Sequence, residues 1–454
     1  MESTVTLSVE IPKSPPLVAP VLQKDRIQSI DVLRGIALLG ILLMNIPYFA
    51  MPDYFTKSFA QDPASPNFWT LTVVTILFEG KMRALFSIVF GAGILLFTSR
   101  KEESGQPFKA LFFQRMGWLV IFGLMHAHLT LWLGDILYFY GLIGMLAFLF
   151  RKMKPKYMAM GVPLVAIFGF VAGTLFYQNI REKRLAYKDA VTAQTQQKAL
   201  SPTQKKALVE WRAIEKERIP NKAEVAENTR LMKSSYSDVA KYVRPKAWDG
   251  QTKYLLFSIG DVLALMLLGM ALFKWGFLTG QWSKRNYWYV MLVGYAVGLA
   301  LVIFNYYKMD YLIGANVAPW LARMEVTPIN WMGLIYPVQR ILLVMAHVAA
   351  VILLLKSGIA QGVMRRLAAV GQMAFTNYIM QTVFCTLIFF GYGLNYFAEL
   401  EYYQLYYVVA GIWLVQLIIS PIWLKHYRFG PLEWLWRSLT YRQLQPMRKE
   451  EEQE

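Results

Sequence analysis

An arginine lies inside the first apolar segment of the chain. Residues 31–45 read DVLRGIALLGILLMN, which places Arg34 about one turn into a stretch otherwise apolar enough to cross a bilayer. A charged side chain at membrane depth costs at least about 2.5 kcal/mol, so it normally faces a cavity, a partner or a ligand. The alternative is that Asp31 and Arg34, three residues apart, pair on the helix surface while the arginine extends towards the lipid headgroups.

The composition identifies a membrane protein. Of the 454 residues, 56% are hydrophobic and only 17% are charged, and the apolar residues fall into long blocks. One soluble core does not need so much apolar surface, so we expect an all-α polytopic bundle of transmembrane helices. The single cysteine, Cys385, lies in an apolar block, which excludes a disulfide framework and a cysteine-based metal site. The first apolar stretch is too long for a signal-peptide core and is expected to stay as a span.

Ten apolar segments are long enough to cross the membrane if one of them is broken. They lie near residues 30–49, 68–98, 111–129, 130–150, 157–178, 254–273, 287–304, 331–355, 367–390 and 403–424. Short basic loops normally face the cytoplasm, and the basic clusters of this chain agree with one another only if 68–98 crosses once. We therefore predict ten crossings, both termini inside, and a polar interruption at Glu79–Arg83 within the membrane.

This pattern divides the chain into five regions. They are a cytoplasmic N-terminal tail (1–29), an N-terminal transmembrane core (30–178), an extracytoplasmic helical insertion (179–250), a C-terminal transmembrane region (251–424) and a basic cytoplasmic tail (425–454). The insertion holds 16 Lys and Arg against 9 Asp and Glu, and a loop of this length escapes the positive-inside rule. Ser201 to Gln204 form a capping-box pattern, which predicts amphipathic helices there. A lid and a solvated hairpin that binds nothing, or only anionic headgroups, both fit this composition.

One histidine of the four stands out. His126 and Asp135 lie nine residues apart in the 40-residue apolar block 111–150, in which Gly134 is the plausible break. A tight turn would return Asp135 to His126, and a histidine oriented by a carboxylate in a dry site is a usual general base near neutral pH. A buried hydrogen bond that only clamps two helices is the alternative. His347 is flanked by apolar residues and is expected to be a packed, hydrogen-bonded core residue.

Familiar catalytic fingerprints are missing from the sequence. It has no HExxH, GxSxG, Walker or dinucleotide-binding pattern, and no spacing that suggests a bound metal. The GAG at 91–93 is typical of close helix packing rather than of a phosphate-binding loop. Asn377 and Gln381, one helical turn apart, share a face that either lines a cavity or forms interhelical hydrogen bonds.

Five motifs, in order along the chain, resemble the YeiB-like family of bacterial inner-membrane proteins. They are SIDVLRGIALLGILLMN (29–45), LFSIVFGAG (85–93), HAHLTLWLGDIL (126–137), GQMAFTNYIMQT (371–382) and RFGPLEWLWRSLTY (428–441). The likeness covers nearly the whole chain outside 1–25 and 179–250. It implies a location in the bacterial inner membrane, but it implies no activity, because the family has none firmly assigned.

The first span is also similar to that of transmembrane acyltransferases, the superfamily of heparan-α-glucosaminide N-acetyltransferase and the bacterial polysaccharide O-acetylases. The O-acetylases carry an arginine, ten residues and then a catalytic histidine. Here Arg34 is followed at that spacing by Asn45, and the lysosomal enzyme also has asparagine there. That enzyme supplies its histidine just before the second span, whereas the corresponding stretch here, 58–68, contains none. Either His126 has taken the base role from another helix, or the chain keeps this fold without the chemistry.

The resemblance implies an enzyme that moves an acyl group from cytoplasmic acyl-CoA, most simply acetyl-CoA, to a hydroxyl or amine of an envelope or exported acceptor. In this interpretation His126, oriented by Asp135, is the base, and Asn45 donates to the oxyanion. The cations expected to bind the cofactor phosphates are Arg34, Lys81, Arg83 and Arg115. Further residues expected to line the same cavity are Asp31, Glu79, Asn377 and Gln381.

Transport is the competing function. Ten spans with a broken helix and intramembrane charge also describe a secondary transporter of a small polar or anionic solute. Against this alternative, no pair of interrupted helices occupies corresponding positions in two halves of the sequence. The partners that we expect are membrane lipid and a small-molecule or glycan acceptor, with no nucleic acid and no metal, and a homodimer is left open.

Overall fold

α-Helix is the regular structure of the chain wherever it is described. A computed structural model describes residues 26–52, 58–60, 62–103, 108–218, 222–253, 255–309 and 317–449, which form eighteen α-helices and no β-strand. The helices are α1 (Gln28–Ala50), α2 (Pro66–Leu77), α3 (Lys81–Glu103), α4 (Lys109–Leu129), α5 (Leu137–Leu149), α6 (Pro155–Ala159), α7 (Gly161–Thr195), α8 (Pro202–Arg218), α9 (Lys222–Met232), α10 (Tyr236–Thr252), α11 (Leu255–Lys274), α12 (Lys284–Met309), α13 (Val317–Val326), α14 (Met332–Ser357), α15 (Gln361–Gln372), α16 (Ala374–Phe389), α17 (Leu405–His426) and α18 (Pro431–Tyr441). The predicted all-α polytopic bundle is confirmed. The two chain termini, whose cytoplasmic location is also predicted, lie outside the described residues.

All ten predicted apolar segments are helical. Among the described residues, seven helical stretches are long and apolar enough to cross a membrane, and they are Gln28–Ala50, Pro66–Ser99, Lys109–Leu129, Pro155–Thr195, Lys284–Tyr306, Gly333–Ser357 and Tyr402–His426. Two shorter apolar helices, Leu137–Leu149 and Ala374–Phe389, lie in two further predicted spans. The tenth predicted segment, 254–273, is occupied by α11.

The second predicted span is broken where its polar residues lie. α2 ends at Leu77 and α3 begins at Lys81, so the interruption expected near Gly80 is confirmed. Gly80 has a left-handed backbone (φ 71°), and a Cβ there would collide with the hydroxyl of Tyr336. Glycine is therefore the residue that this turn requires. The amide of Lys81 donates to the carbonyl of Phe78 at 3.0 Å, which satisfies part of the backbone that the break leaves free.

Close contacts between backbones hold α1 and α3 in the bundle. α1 packs on α15, where a Cβ at Gly371 would collide with the carbonyl of Asp31. α3 packs on α11, where a Cβ at Gly91 would collide with the carbonyl of Met266. Small residues permit such close approach between membrane helices. The packing role predicted for the GAG motif is confirmed at Gly91, whereas Gly93 has no neighbour within 4 Å of its Cβ position.

One predicted span consists of two helices. The segment 367–390 contains the end of α15 and all of α16, which meet at Met373. α15 is amphipathic, because Met364 is buried while Arg365 and Arg366 are exposed. The exposed arginines place α15 at the end of the bundle, so that only α16 is an apolar segment here.

The insertion begins as a continuation of a membrane helix. α7 runs without a break across the predicted boundary at residue 178, and α8, α9 and α10 follow it. Both hydrogen bonds of the predicted capping box are present, since the Ser201 amide donates to the Gln204 side chain at 3.0 Å and the Gln204 amide donates to Ser201 Oγ at 3.2 Å. α7 therefore extends from the bundle into the insertion, and α8 begins at the predicted capping box.

A short helix from another loop fastens the insertion. Glu325 on α13 accepts hydrogen bonds from Arg184 Nε at 2.9 Å and from Lys188 Nζ at 2.6 Å, both on α7. Arg181, earlier on α7, donates to the carbonyls of Met324 and Glu325, each at 2.9 Å. These contacts tie the C-terminal half of α7 to the loop between α12 and α14.

Candidate active site

His126 and Asp135 are in direct contact. α4 ends at Leu129, and a turn that includes Leu131 in a left-handed conformation (φ 57°) returns the chain to α5. His126 Nδ1 lies 2.8 Å from Asp135 Oδ1, and both side chains are buried. The contact expected from the nine-residue spacing is therefore present, between the end of α4 and the turn that follows it.

The Asp135 carboxylate is held by two further donors. Its Oδ1 accepts from the amide of Leu137 at 3.2 Å, and its Oδ2 accepts from the amide of Tyr138 at 2.9 Å. These amides open α5, so the carboxylate caps this helix, and the helix dipole favours its negative charge. An aspartate fixed in this way keeps the imidazole of His126 in one orientation.

The second ring nitrogen of His126 is also occupied. Nε2 lies 2.9 Å from Thr382 Oγ1 on α16, and the ring of Tyr378 packs edge-on at a centroid distance of 4.9 Å. When Nδ1–H donates to Asp135, Nε2 accepts from the Thr382 hydroxyl, so a neutral imidazole has both of its hydrogen bonds. No local pattern points to Thr382, which is 256 residues from His126; its place in the 371–382 motif is the one signal for it.

A cavity of about 520 Å³ lies beside this pair, between α1, α3, α11, α14 and the turn after α4. The predicted site residues that line it are Asn45, Glu79, Arg83 and Asp135. His126 does not line it, because Asp135 and Thr382 hold its two nitrogens within the interface of α4 and α16. The expectation that His126 itself faces the cavity is therefore corrected: the imidazole lies behind Asp135.

A charged network adjoins the cavity through Arg83, which lines its wall. Arg340 on α14 binds both carboxylate oxygens of Asp261 on α11, at 3.0 Å for one of the two contacts. Arg83 on α3 lies 3.6 Å from the same carboxylate. Sequence reasoning missed Asp261 and Arg340, although each is an ionisable residue in an apolar segment, which is the signal that singles out Arg34.

Lys81 belongs to the helix break and not to the cavity wall. Its ammonium group donates to the carbonyl of Thr75 at 2.8 Å, and the residue is only 2% exposed. That carbonyl is one of those that the end of α2 leaves without a partner in the helix. Lys81 therefore helps to close the break, and its predicted role in binding a cofactor phosphate stays a prediction.

Arg34 lies towards the opposite end of α1 from the cavity. The eleven residues from Arg34 to Asn45 correspond to about 16 Å along the helix. Arg34 Nη1 donates to Asp31 at 2.9 Å and to the carbonyl of Gly371 at 3.3 Å, and Arg26 binds the same carboxylate at 2.8 and 3.0 Å. The pair of Asp31 and Arg34 is thus present, and neither residue lines the cavity.

The predicted cofactor ligands therefore do not form one group. α3 runs antiparallel to α1, and Met82 packs at the position of Gly40, so the first turn of α3 lies about 9 Å further along α1 than Arg34. Arg115 is near Arg34 and distant from the cavity, since it lies in the early turns of α4 and interacts electrostatically with Arg34. Of the four predicted cations, only Arg83 lines the cavity.

Asn377 and Gln381 form interhelical hydrogen bonds. Asn377 Nδ2 donates to Ser420 Oγ at 3.0 Å, and Gln381 Nε2 donates to Gln416 Oε1 at 3.0 Å. Gln416 Nε2 returns a hydrogen bond to the carbonyl of Asn377 at 2.8 Å. These residues join α16 to α17 and do not line the cavity, so their placement in it is corrected in favour of the interhelical alternative.

The remaining sequence predictions concern His347 and metals. His347 is hydrogen-bonded in the core as predicted, with Nδ1 2.8 Å from the Tyr295 hydroxyl and Nε2 3.0 Å from the carbonyl of Leu77. In the described ranges, no three His, Cys, Asp or Glu side chains are grouped in a way that could hold a metal ion.

Comparison with known proteins finds relatives that align with this chain over almost its full length. A family model described as "Protein of unknown function (DUF418)" matches residues 272–443. The chain is 30% identical to "Uncharacterized protein YxaH" of Bacillus subtilis, over 95% of this chain and 98% of that protein. It is 28% identical to "Uncharacterized protein YeiB" of Escherichia coli, over 93% of this chain and 98% of that protein. No solved structure matches the chain.

Proposed function

The chain belongs to the YeiB-like family, and we propose that it is a membrane acyltransferase that transfers an acyl group from acyl-CoA to a hydroxyl or amine of an envelope or exported acceptor. One observation carries this proposal. The cavity of about 520 Å³ brings Asn45 of α1 together with Asp135, whose carboxylate is bonded to a buried histidine. An amide donor and a histidine–carboxylate pair are the groups that acyl transfer to a hydroxyl needs.

The likeness of α1 to the first span of transmembrane acyltransferases supports the same function. In both, an arginine precedes a polar side chain by the same spacing, and here the two residues are Arg34 and Asn45. Acyl-CoA carries phosphates at one end and the thioester at the other. A donor lying along α1 would therefore place its phosphates near Arg34 and its thioester near Asn45 in the cavity.

In the proposed reaction, His126 removes the proton from the acceptor. In the resting structure the ring lies behind Asp135 with Nε2 on Thr382, so the imidazole must first turn from Thr382 towards the cavity. Nδ1–H keeps its hydrogen bond to Asp135, and Nε2 then accepts the proton of the acceptor hydroxyl or amine. The acceptor heteroatom forms a bond to the acyl carbon, the carbon–sulfur bond breaks, and the thiolate takes the proton from Nε2. Asn45 Nδ2 donates to the carbonyl oxygen as it becomes negative.

The test is to compare acylated products with and without the protein. Lipids, envelope glycans and exported metabolites of a deletion strain are compared by mass spectrometry with those of the strain complemented by the parent chain or by His126→Ala. The proposal predicts acylated species that depend on the parent chain and are missing with the variant. Identical profiles in all three strains, together with no binding of acetyl-CoA to purified protein, would contradict it.

Transport remains the second candidate, because a specific feature favours it. Arg83 lines the cavity just after the break between α2 and α3, and it contacts the ion pair of Asp261 and Arg340. Intramembrane charge beside an interrupted helix is typical of substrate and ion sites in carriers. Counterflow of a small anionic solute across proteoliposomes, reduced by Asp261→Asn, would favour this function over acyl transfer.

For either function we propose that the protein lies in the bacterial inner membrane with both termini in the cytoplasm. This orientation places every short basic loop inside and the insertion of α8 to α10 outside. Acyl-CoA is cytoplasmic, so the arginines near the start of α1 and α4 would meet the donor from that side. Acceptor and donor would thus reach the protein from opposite faces of the membrane.

A further inference from the structure

Three arginines from three helices meet at the end of the bundle that lies away from the cavity. Arg34 and Arg115 each lie six residues into their helices, α1 and α4, or about 9 Å from the helix start. Arg437 comes from α18, and the ring of the preceding residue, Trp436, lies 3.8 Å from the Arg115 guanidinium. Arg34 donates to the carbonyl of Gly371 at 3.3 Å, four residues before Phe375, whose amide donates to Glu433 one turn before Arg437. We call Arg34, Arg115 and Arg437 the arginine cluster.

α18 is fastened so that Arg437 stays at this place. Trp436 Nε1 donates to the carbonyl of Arg115 at 2.9 Å, and Gln114 Nε2 donates to the carbonyl of Leu439 at 3.1 Å. These two hydrogen bonds join α18 to α4 immediately beside the arginines. The cluster is therefore held by the fold and does not depend on a flexible tail.

The carboxylates near the cluster are already engaged. Glu433 Oε1 accepts from the amides of Phe375 at 2.6 Å and Thr376 at 3.1 Å, and its Oε2 accepts from the Thr376 hydroxyl at 2.6 Å. Glu433 thus caps α16, and Asp31 is shared between Arg26 and Arg34. Counting Arg26, four arginines face two carboxylates, which leaves an excess of two positive charges at this end of the bundle.

Two guanidinium groups of the cluster rest on aromatic rings. Arg115 Cζ lies 3.8 Å from the ring centre of Trp436, and Arg437 Cζ lies 4.5 Å from that of Phe429. Within the described parts of the chain, neither guanidinium is bonded to a carboxylate. Stacking covers the face of a guanidinium and leaves its N–H edge free to donate. Burial lowers the pKa of Arg437 to about 10, so the group remains charged at neutral pH.

We propose that the arginine cluster is a binding site for a phosphoryl group. A guanidinium group that stacks on an aromatic ring and keeps its N–H edge free can donate two parallel hydrogen bonds to two phosphate oxygens. The excess positive charge at this half-buried site is stabilised when a phosphate dianion or diester occupies it. That the phosphate belongs to an acyl-CoA donor rests on the proposed function; an anionic lipid headgroup is the other source of the same chemistry.

The first experiment measures a soluble phosphate probe. Full-length protein in a detergent without anionic lipid is titrated with adenosine 3′,5′-bisphosphate, the nucleotide end of CoA, by calorimetry. Arg437→Gln and Arg115→Gln should each weaken binding by about 10- to 100-fold, because each removes a charge-assisted contact. The matched control is Arg365→Gln, which removes an exposed arginine of α15 and should leave binding unchanged. Arg437→Lys, which keeps the charge without the fork, is used if a glutamine variant does not fold.

The second experiment measures lipid. The same proteins are extracted from membranes that contain phosphatidylglycerol, and the retained lipid is counted by native mass spectrometry. Nucleotide binding that Arg437→Gln weakens supports the site with the donor phosphate as its ligand. Loss of retained phosphatidylglycerol without nucleotide binding supports the site with a lipid phosphate as its ligand. If Arg115→Gln and Arg437→Gln match Arg365→Gln in both measurements, the proposed site is wrong.

The outcome is separate from that of the proposed function. A chain that binds the bisphosphate through the cluster but transfers no acyl group would keep the phosphoryl site and reject the acyltransferase. If the chain transfers acyl groups but replacing Arg437 or Arg115 does not change its affinity for the donor, the acyltransferase function is kept and the phosphoryl site is rejected.

Discussion

His126 Nδ1 lies 2.8 Å from Asp135 Oδ1, and both side chains are buried. The two residues lie nine positions apart in one otherwise apolar block of the sequence. The contact depends on a turn with a residue in the left-handed conformation, Leu131, and on the amides of α5 that fix the carboxylate. On the far side of the ring, Thr382 completes the hydrogen bonding of the histidine. The pair therefore joins α4, α5 and α16, and only its Asp135 member lines the cavity.

Replacing Asp135 by asparagine should destabilise the bundle. The substitution removes a charge that accepts from His126 and from two amides at the start of α5, and buried charged hydrogen bonds contribute about 1.5 to 3 kcal/mol. Thermal unfolding in detergent measures the change. Asp249→Asn, at a solvent-exposed ion pair with Lys253, is the control and should change stability by less than about 1 kcal/mol. Equal unfolding temperatures for the two variants would mean that Asp135 is not an anchor.

Gly80→Ala should be strongly destabilising. Alanine there is strained at φ 71° and its Cβ overlaps the Tyr336 hydroxyl, so we expect a loss of more than about 1 kcal/mol. Gly93→Ala, inside α3 with open space around its Cβ position, is the control and should be neutral or stabilising. Combining Gly80→Ala with Tyr336→Phe should restore part of the stability. A Gly80 variant as stable as the Gly93 variant would contradict the account of the break.

Cysteine labelling on intact cells tests the orientation. The only native cysteine, Cys385, is buried, so the background is low. A membrane-impermeant maleimide should label Thr195→Cys, at the end of α7, but not Leu444→Cys, which is 77% exposed in the structure and predicted to be cytoplasmic. Permeabilised cells should show labelling at both positions. Labelling of Leu444→Cys in intact cells would overturn the predicted sidedness.

The attachment of α13 to α7 should depend on pH. Hydrogen bonds from Lys188 and then Arg184 hold the pKa of the Glu325 carboxyl below its usual value. The pKa of this carboxyl is about 4.3 in the unfolded chain and lower in the folded protein. The ionised carboxylate therefore stabilises the contact fully above about pH 4.3, and this stabilisation is lost as the pH falls through the pKa of the folded state. The protection of the amides of residues 317–326 against hydrogen exchange, taken relative to the intrinsic rate at each pH, should fall in that acid range. Glu325→Gln should show low protection at every pH, and a parent protein whose protection does not change with acid would contradict the prediction.

The local sequence pattern was sufficient to predict the helices and the contacts between residues that are close in the sequence. Apolar length predicted all ten segments, and the polar run at Glu79–Arg83 predicted the break at Gly80. The spacing of His126 and Asp135 predicted their contact because only a short turn separates them. Each of these features is determined by neighbours within a few turns of the chain.

Contacts between distant segments were not predictable in the same way. Thr382 approaches His126 and Asp261 approaches Arg340 only because α16 and α11 pack where they do. The direction of α3 relative to α1 placed Lys81 and Arg34 at different depths, which no local pattern indicates. α18 did leave a signal in the sequence, since Pro431 opens a helix in which Leu432, Leu435 and Leu439 recur at helical spacing.

Turnover of His126→Ala tests the central claim most directly. Purified parent and variant proteins are given isotope-labelled acetyl-CoA and an envelope extract as acceptor, and acyl transfer is measured beside acetyl-CoA binding and the folded fraction. His347→Ala is the matched control, because it removes a half-buried histidine that also has both ring nitrogens hydrogen-bonded and that does not contact Asp135. If His126 is the base, its variant loses about 10²- to 10⁴-fold in turnover with unchanged acetyl-CoA binding, whereas the control loses only what its folded fraction explains. If the two variants lose activity alike, in proportion to folded protein, His126 is a clamp and the assignment of the base is wrong.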